Sequence, residues 1–555
     1  MRSRDLCSAS EIRWLPSRRH LWRQRSGRSH DLRGPIAAAA LPEELTTITM
    51  IFQNPVIPGF HPDPSICRVG SDYYLVTSTF EYFPGVPIFH STDLVHWRQA
   101  GYCLTRDSQL PLRSAWTSGG IFAPTIRWHK GTFYMVATNV SGMGNFYVTA
   151  ERAEGPWSEP IVVTHDGKPV GGIDPSLLFD DDGTVYFSGT SGTATIDIET
   201  GALMSDLKHI WTGSGGRYAE APHIYKINGL YYCMLAEGGT EPGHMVTIAR
   251  SESPWGPYEP CPRNPILTHR DRGGYPIQST GHADLIEAHD GSWWAVFLAT
   301  RISAKYPNVH HLGRETFLAP VIWDSEGWPV IGNHGTVDRE MPAPSFMIAN
   351  EQKQANTTRD DFDTDKLALA WNFRRNPEPS DWSLSERPGS LVLKCSTVTL
   401  NDVAQPAFVG RRQEHFQCRF SANIEFNPLK EYEEAGLTVI MNEEHHYEIF
   451  LSGNNAGRKW VAVRRRIGDL IAIVREEPIE DGDLILSIEA GAEEYCFGYE
   501  TREGKRKMLA SGSTRYLSTE IAGGFTGVYL GMYATSNHHE STVSAYFDWA
   551  EYVFE

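Results

Sequence analysis

The sequence has no apolar run near the roughly 20 residues that a membrane-crossing helix requires. A membrane is therefore not an expected partner. It also lacks a surplus of positive charge. Lys and Arg number 50 against 68 Asp and Glu, a formal net charge of −18. Such a surface repels phosphate backbones and anionic headgroups, which argues against nucleic acid as the main partner. Cysteine is sparse and scattered: Cys7, Cys67, Cys103, Cys233, Cys261, Cys395, Cys418 and Cys496 include no CxxC pair. Several sit inside apolar strand patterns, as in Tyr232-Cys233-Met234, and read as buried free thiols rather than disulfides. No amphipathic helix pattern occurs between Asn54 and Trp328. Residues 1–49 carry Arg18-Arg19, Arg23, Arg25 and Arg28 but neither strand patterning nor the apolar core of a secretory signal. They read as an extension that is disordered or not used, with a transit peptide as the alternative. Without a recognisable secretory signal, the expected location is the cytoplasm.

What the chain has in plenty is glycine, tyrosine and tryptophan (50, 23 and 16 residues), a composition suited to strands joined by tight turns. One phrase recurs five times. It opens with a proline-marked strand start, passes a turn, and ends in a pair of aromatic or bulky apolar residues. The copies are Asp63-Pro64-Ser65-Ile66 to Tyr73-Tyr74, Ala123-Pro124-Thr125-Ile126 to Phe133-Tyr134, and Asp174-Pro175-Ser176-Leu177 to Val185-Tyr186. Ala221-Pro222-His223-Ile224 to Tyr231-Tyr232 follows, and Ala283-Asp284-Leu285-Ile286 to Trp293-Trp294 lacks the proline. A period of roughly 45 to 60 residues suits four-stranded blades. The expected fold is all-β, a five-bladed β-propeller over residues 50–340. A polar, proline-bearing stretch over 341–361 reads as a linker. Evenly spaced strands over 362–555, without the blade phrase, predict a β-sandwich.

Three openings carry an acid: Asp63, Asp174, and Glu220 just before Ala221. If the openings face one channel, three carboxylates converge there, at equivalent positions of the repeat. Paired carboxylates are the means of breaking an acetal, one protonating the leaving oxygen and the other activating water or attacking carbon. A neighbouring carboxylate raises an acid's pKa by repulsion, and Asp174 is expected to do so for Glu220. The alternative for any one Asp-Pro is a turn or capping device. Asp197 and Asp180 to Asp182 are read in that plain way.

The blocks His61-Pro62-Asp63-Pro64-Ser65, Gly119-Gly120-Ile121-Phe122-Ala123-Pro124, Ile173-Asp174-Pro175-Ser176 and Glu220-Ala221-Pro222-His223 together resemble the signature of glycoside hydrolase family 43. Within it the chain most resembles the two-domain β-xylosidases with a concanavalin-like sandwich. The resemblance implies an inverting exo-acting enzyme that releases xylose from β-1,4-xylo-oligosaccharides. It makes Asp63 the general base, Glu220 the general acid and Asp174 the orienting carboxylate. It places Phe80, Phe122, His282, Arg314 and Phe525 around the sugar, Phe525 from a sandwich loop, with Phe122 where these enzymes are expected to carry tryptophan. No cofactor is implied, although the resemblance allows a calcium ion near His282. A homo-oligomer is compatible with it. The rival readings are an α-L-arabinofuranosidase or bifunctional enzyme and, more remotely, a non-catalytic sugar-binding propeller.

Overall fold

A computed structural model describes residues 50–348, 356–480, 482–501 and 503–554. The extension expected over residues 1–49 lies outside the described residues. Everything described falls in one compact unit spanning Thr49–Glu555.

Five antiparallel sheets follow one another along the first part of the chain. Their inner strands are Ser65–Val69, Thr125–His129, Ser176–Phe179, Glu220–Ile227 and Ile277–Glu287, so each copy of the repeated phrase opens a sheet. The fold is the expected all-β propeller followed by a sandwich. The third sheet has three strands rather than four, ending at Gly192–Thr195. Within each phrase a glycine turn separates inner and second strands, and the aromatic pair opens or lies within the second strand. Tyr73-Tyr74, Tyr231-Tyr232 and Trp293-Trp294 have one or both rings buried between neighbouring sheets. Such pairs break period-two alternation because both faces of a blade are covered. Ile51–Gln53 pairs with Glu340–Pro342, tying the two ends of the propeller region together.

The sandwich is one eight-stranded and one six-stranded antiparallel sheet. Thr357–Asp360 already belongs to it, pairing with Ser544–Phe554. The sandwich and the propeller share a core. One apolar cluster runs from Val86, Leu110, Leu112 and Ile121 through Phe373 and Val409 to Leu486 and Phe547. The backbone crosses as well: Phe373-Arg374 pairs with Tyr82-Phe83 of the first blade. Tyr82 stacks on Tyr529 with ring centroids 3.8 Å apart and planes 8° from parallel. Among the described residues the only helical turns are Thr514–Leu517 and Thr519–Ala522. They deliver the loop Gly523-Gly524-Phe525 to the mouth of the propeller.

Candidate active site

Four of the five blade openings share a backbone kink, which the second, at Ala123, lacks. Asp63, Asp174, Ala221 and His282 have φ of 54, 55, 52 and 49°. Left-handed backbone costs a non-glycine residue on the order of 1 kcal/mol or more, and it persists only where surrounding structure holds it. The kink defines the equivalent position of the repeat, and it corrects the sequence expectation. Asp63, Asp174 and His282 occupy that position, but in the fourth blade Ala221 does. Glu220 stands one residue earlier, where the register of its strand shifts between Glu220 and His223. Its longer side chain spans the difference.

The three carboxylates nevertheless line one cavity of about 420 Å³, together with Phe80, Phe122, His282, Arg314 and Phe525. All eight residues singled out in the sequence are thus brought together. Asp63 is 4% exposed. Its Oδ1 accepts from Arg314 Nη1 at 2.7 Å and its Oδ2 from Ser78 Oγ at 2.5 Å. Two donors on opposite oxygens fix the orientation of the carboxylate. Burial pushes Glu220 up to about 7, helped by the negative charge of Asp63 and opposed by Arg314. Burial also pushes Asp174 well above the usual carboxylate range, with Glu220 and then Asp63 adding repulsion. The backbone N–H of Ala221 bonds to Asp174 and works in the other direction. Repulsion from Asp174, expected as the cause for Glu220, is thus not the main one. Desolvation is, and Asp174 and Glu220 titrate as a pair. The site sets an oriented carboxyl group, Asp63, beside two whose burial favours the protonated form.

The wall opposite is aromatic. Phe80 is buried and kinked at φ 51°. Its ring lies 5.1 Å from Phe122 and 5.8 Å from Phe525, the latter nearly parallel at 26°. The Arg314 guanidinium sits 5.5 Å from the Phe80 ring centre and 5.8 Å from that of Phe525. The Phe525 loop is bound on every side. Phe525 N–H donates to Ser118 Oγ at 2.9 Å, and its carbonyl accepts from Arg314 Nη2 at 3.2 Å. Glu520 accepts from the backbone N–H of His310 at 3.0 Å, and Val528 N–H donates to His311 O at 2.9 Å. At Gly524 (φ 82°) an added Cβ would stand 2.6 Å from Ser118 Oγ, so only glycine allows this approach. Trp116, two residues before Ser118, is half exposed and not part of the cavity lining.

His282 is buried, and burial holds its pKa below the usual histidine range. Its Nδ1 lies 3.8 Å from Asp63 Oδ1, the oxygen that Arg314 already holds. Among the described residues no group of three or more His, Cys, Asp or Glu side chains could hold a metal ion. A calcium ion beside His282 would share its carboxylate with a bound guanidinium, and the residues there do not fit one.

Sequence reasoning passed over the layer beneath the site. Asp284 of the fifth copy accepts from Arg127 Nη1 at 2.8 Å, Ser65 Oγ at 2.6 Å and Tyr225 OH at 2.7 Å. Arg127 Nη2 also lies 2.9 Å from His223 Nδ1. Burial is the largest influence and would raise Asp284, but Arg127, His223 and the hydrogen bonds from Arg127 and Ser65 together outweigh it and hold the carboxyl below the usual range. Ser65 and His223 are the second residues after the kink in their blades, so this network braces the openings that carry Asp63 and Glu220. Its signal in the sequence is the arginine of the second inner strand, Thr125-Ile126-Arg127, at the position where the first copy carries Cys67. Also passed over were Tyr218, Thr240, Glu241, His244 and Thr519 of the lining. Asp197 is a turn acid as expected, accepting from Thr200 Oγ1, whereas Asp180 is more than that: it is buried and binds Lys226 and Tyr231 of the next blade.

A propeller whose channel mouth gathers three carboxylates and an arginine behind an aromatic wall has the equipment of a glycoside hydrolase. Comparison with known proteins says which kind. Residues 52–329 match the model of glycosyl hydrolases family 43, and residues 359–553 match the β-xylosidase C-terminal concanavalin A-like domain. A non-reducing end α-L-arabinofuranosidase of Bacteroides ovatus is 45% identical over 512 residues, covering 90% of this chain and 94% of that protein. A xylosidase/arabinosidase of Butyrivibrio fibrisolvens is 39% identical, covering 91% and 99%. The solved xylan β-1,4-xylosidase of Bacillus halodurans C-125 superposes with TM-score 0.84 at 34% identity, over 90% of this chain and all of that one. The chain belongs to glycoside hydrolase family 43 and carries the family's C-terminal concanavalin A-like domain. It is a carbohydrate-processing enzyme.

Proposed function

We propose that the protein is an exo-acting, inverting β-xylosidase that releases xylose from the non-reducing ends of β-1,4-xylo-oligosaccharides. The observation that carries this is the division of labour among the carboxylates. Asp63, oriented by Arg314 and Ser78, is the base that takes a proton from the attacking water. Glu220, pushed up to about 7, keeps its proton and delivers it to the leaving oxygen. Asp174, bound to the backbone beside Glu220, orients the acid and shares the pair's proton. Arg314 and His282 border the base and meet the sugar's hydroxyls, while Phe80, Phe122 and Phe525 cover its apolar face. The sandwich loop closing one side of the cavity favours a pocket for a chain end over an open cleft.

The second reading is an α-L-arabinofuranosidase, alone or combined with the first. The name of the Bacteroides ovatus relative favours it. The test is paired aryl β-xyloside and α-L-arabinofuranoside hydrolysis, with the product's anomeric form followed by NMR. Preference for the xyloside with an inverted first product supports the reading. Preference for the arabinofuranoside replaces it with the second, and a retained product refutes Asp63 as a base.

A further inference from the structure

We propose that Tyr218 is the platform for the departing sugar and sets the enzyme's discrimination between sugar and small leaving groups. This rests on the reading of Glu220 as the general acid. The acid marks the side of the cavity from which the leaving group departs, and Tyr218 is two residues before it. Tyr218 lines the same cavity, yet it is 63% exposed, whereas Phe80 on the other wall is 2% exposed. The aromatic wall already described therefore serves the inner sugar, and Tyr218 stands at the outlet.

Single exposed aromatics are ordinary, so exposure alone says little. What sets Tyr218 apart is that the fold holds it in place. Its φ is 53°, in a region that a bulky residue rarely adopts. The backbone is clipped on both sides of that strain. Gly238 N–H donates to Arg217 O at 2.7 Å, Arg217 Nε donates to Gly238 O at 3.2 Å, and Arg217 forms an ion pair with Glu241. The ring then lies on the backbone of Gly239, where a Cβ would come within 3.0 Å of Cδ2. The Arg217 guanidinium lies over the ring, 5.3 Å from its centre, and covers one of its faces. A strained, exposed ring held along its Cδ2–Cε2 edge by Gly239 and on one face by Arg217 contributes nothing to the core. It presents one apolar face beside the acid, the surface on which a pyranose stacks. Thr240 and Glu241, next to it in the lining, supply polar groups for that sugar's hydroxyls, and Thr240 Oγ1 has no hydrogen-bond partner among the described residues.

The test compares Tyr218→Ala, Tyr218→Phe and the unaltered enzyme on xylobiose and on β-xylosyl fluoride, which share a glycone but not a bulky leaving group. Tyr218→Ala is expected to lower kcat/KM on xylobiose about tenfold and to leave the fluoride within about twofold. Tyr218→Phe, which keeps the ring, is expected to restore xylobiose turnover. Equal losses on both substrates would show a merely structural role, and no loss on either would show that the ring is idle; each overturns the proposal. If the unaltered enzyme cleaves only arabinofuranosides, the xylosidase reading falls. The same comparison on an arabinofuranosyl disaccharide and fluoride then decides Tyr218 separately. If it cleaves neither glycone, both fall.

Discussion

Three carboxylates share one guanidinium at this site, and the asymmetry of that sharing decides their roles. Asp63 holds Arg314 at 2.7 Å, while buried Asp174 and half-buried Glu220 are left uphill. Replacing Asp63 or Glu220 by alanine should each lower xylobiose hydrolysis by about 10² to 10⁴, the range of a general acid or base. With an aryl leaving group that needs little protonation, Glu220→Ala should retain more activity than Asp63→Ala. Near-normal turnover of xylobiose by either variant would remove that residue from the chemistry. The acid's titration should also be visible in pH profiles, with kcat/KM falling on the basic side as pH passes about 7. Stability carries the same signature. Glu220's folded pKa of about 7 lies above its ordinary 4.5. Its stabilising contribution is therefore complete below about pH 4.5 and is lost as pH rises through about 7. Glu220→Gln has no such loss. It should gain stability relative to the unaltered enzyme between pH 5 and 8, by up to about 3 kcal/mol. A stability difference that is flat over that range in chemical denaturation would show that Glu220 is not strained by its charge.

At the scale of elements, the inner strand of each blade is a short local signal, and it was legible. In four copies Asp-Pro or Ala-Pro, then a polar residue and Ile or Leu, a glycine turn and a pair of aromatic or bulky apolar residues can be read within about 12 residues. The site residues that sit inside this phrase, Asp63 and Asp174, followed from it directly. Glu220 was found by its neighbourhood, but its offset was hidden because only the backbone kink at Ala221 reveals the true repeat position. Arg127 and Asp284 were not read as partners, since their bond joins residues 157 apart and no local pattern encodes it. The same holds for the clip between Arg217 and Glu241. Phe525 became visible only through family resemblance, and the structure supplies its physical basis: glycines on both sides and bonds to Ser118 and Arg314. Phe525→Ala should therefore raise KM or lower kcat/KM on xylobiose by roughly tenfold, from loss of one packed ring worth about 1–3 kcal/mol. Unaltered kinetics would mean that the loop does not close on the sugar.

At the scale of the whole molecule, the sandwich is built into the propeller's core. A carbohydrate-binding appendage would sit on a tether with its own core. Here one apolar cluster crosses from Leu110 and Ile121 to Phe373, Val409 and Phe547, and a strand of the later region pairs with the first blade. Buried polar groups cross too: Arg374 Nη2 lies 3.6 Å from Glu81 Oε1 of the first blade, and the backbone N–H of Arg375 donates to Glu81 O beside Phe80 at 2.7 Å. The described unit should accordingly unfold in one cooperative calorimetric transition. Tyr82→Ala removes a ring stacked on Tyr529 at this junction and should cost about 3–5 kcal/mol without splitting that transition. A chain ending at residue 348 should expose the apolar face under Leu110 and Leu112, lose Phe525 from the site, and be insoluble or inactive. Two well-separated transitions, or a soluble truncated propeller with unaltered kinetics on xylobiose, would make the sandwich a separable targeting module and overturn this view of it as a wall of the active site.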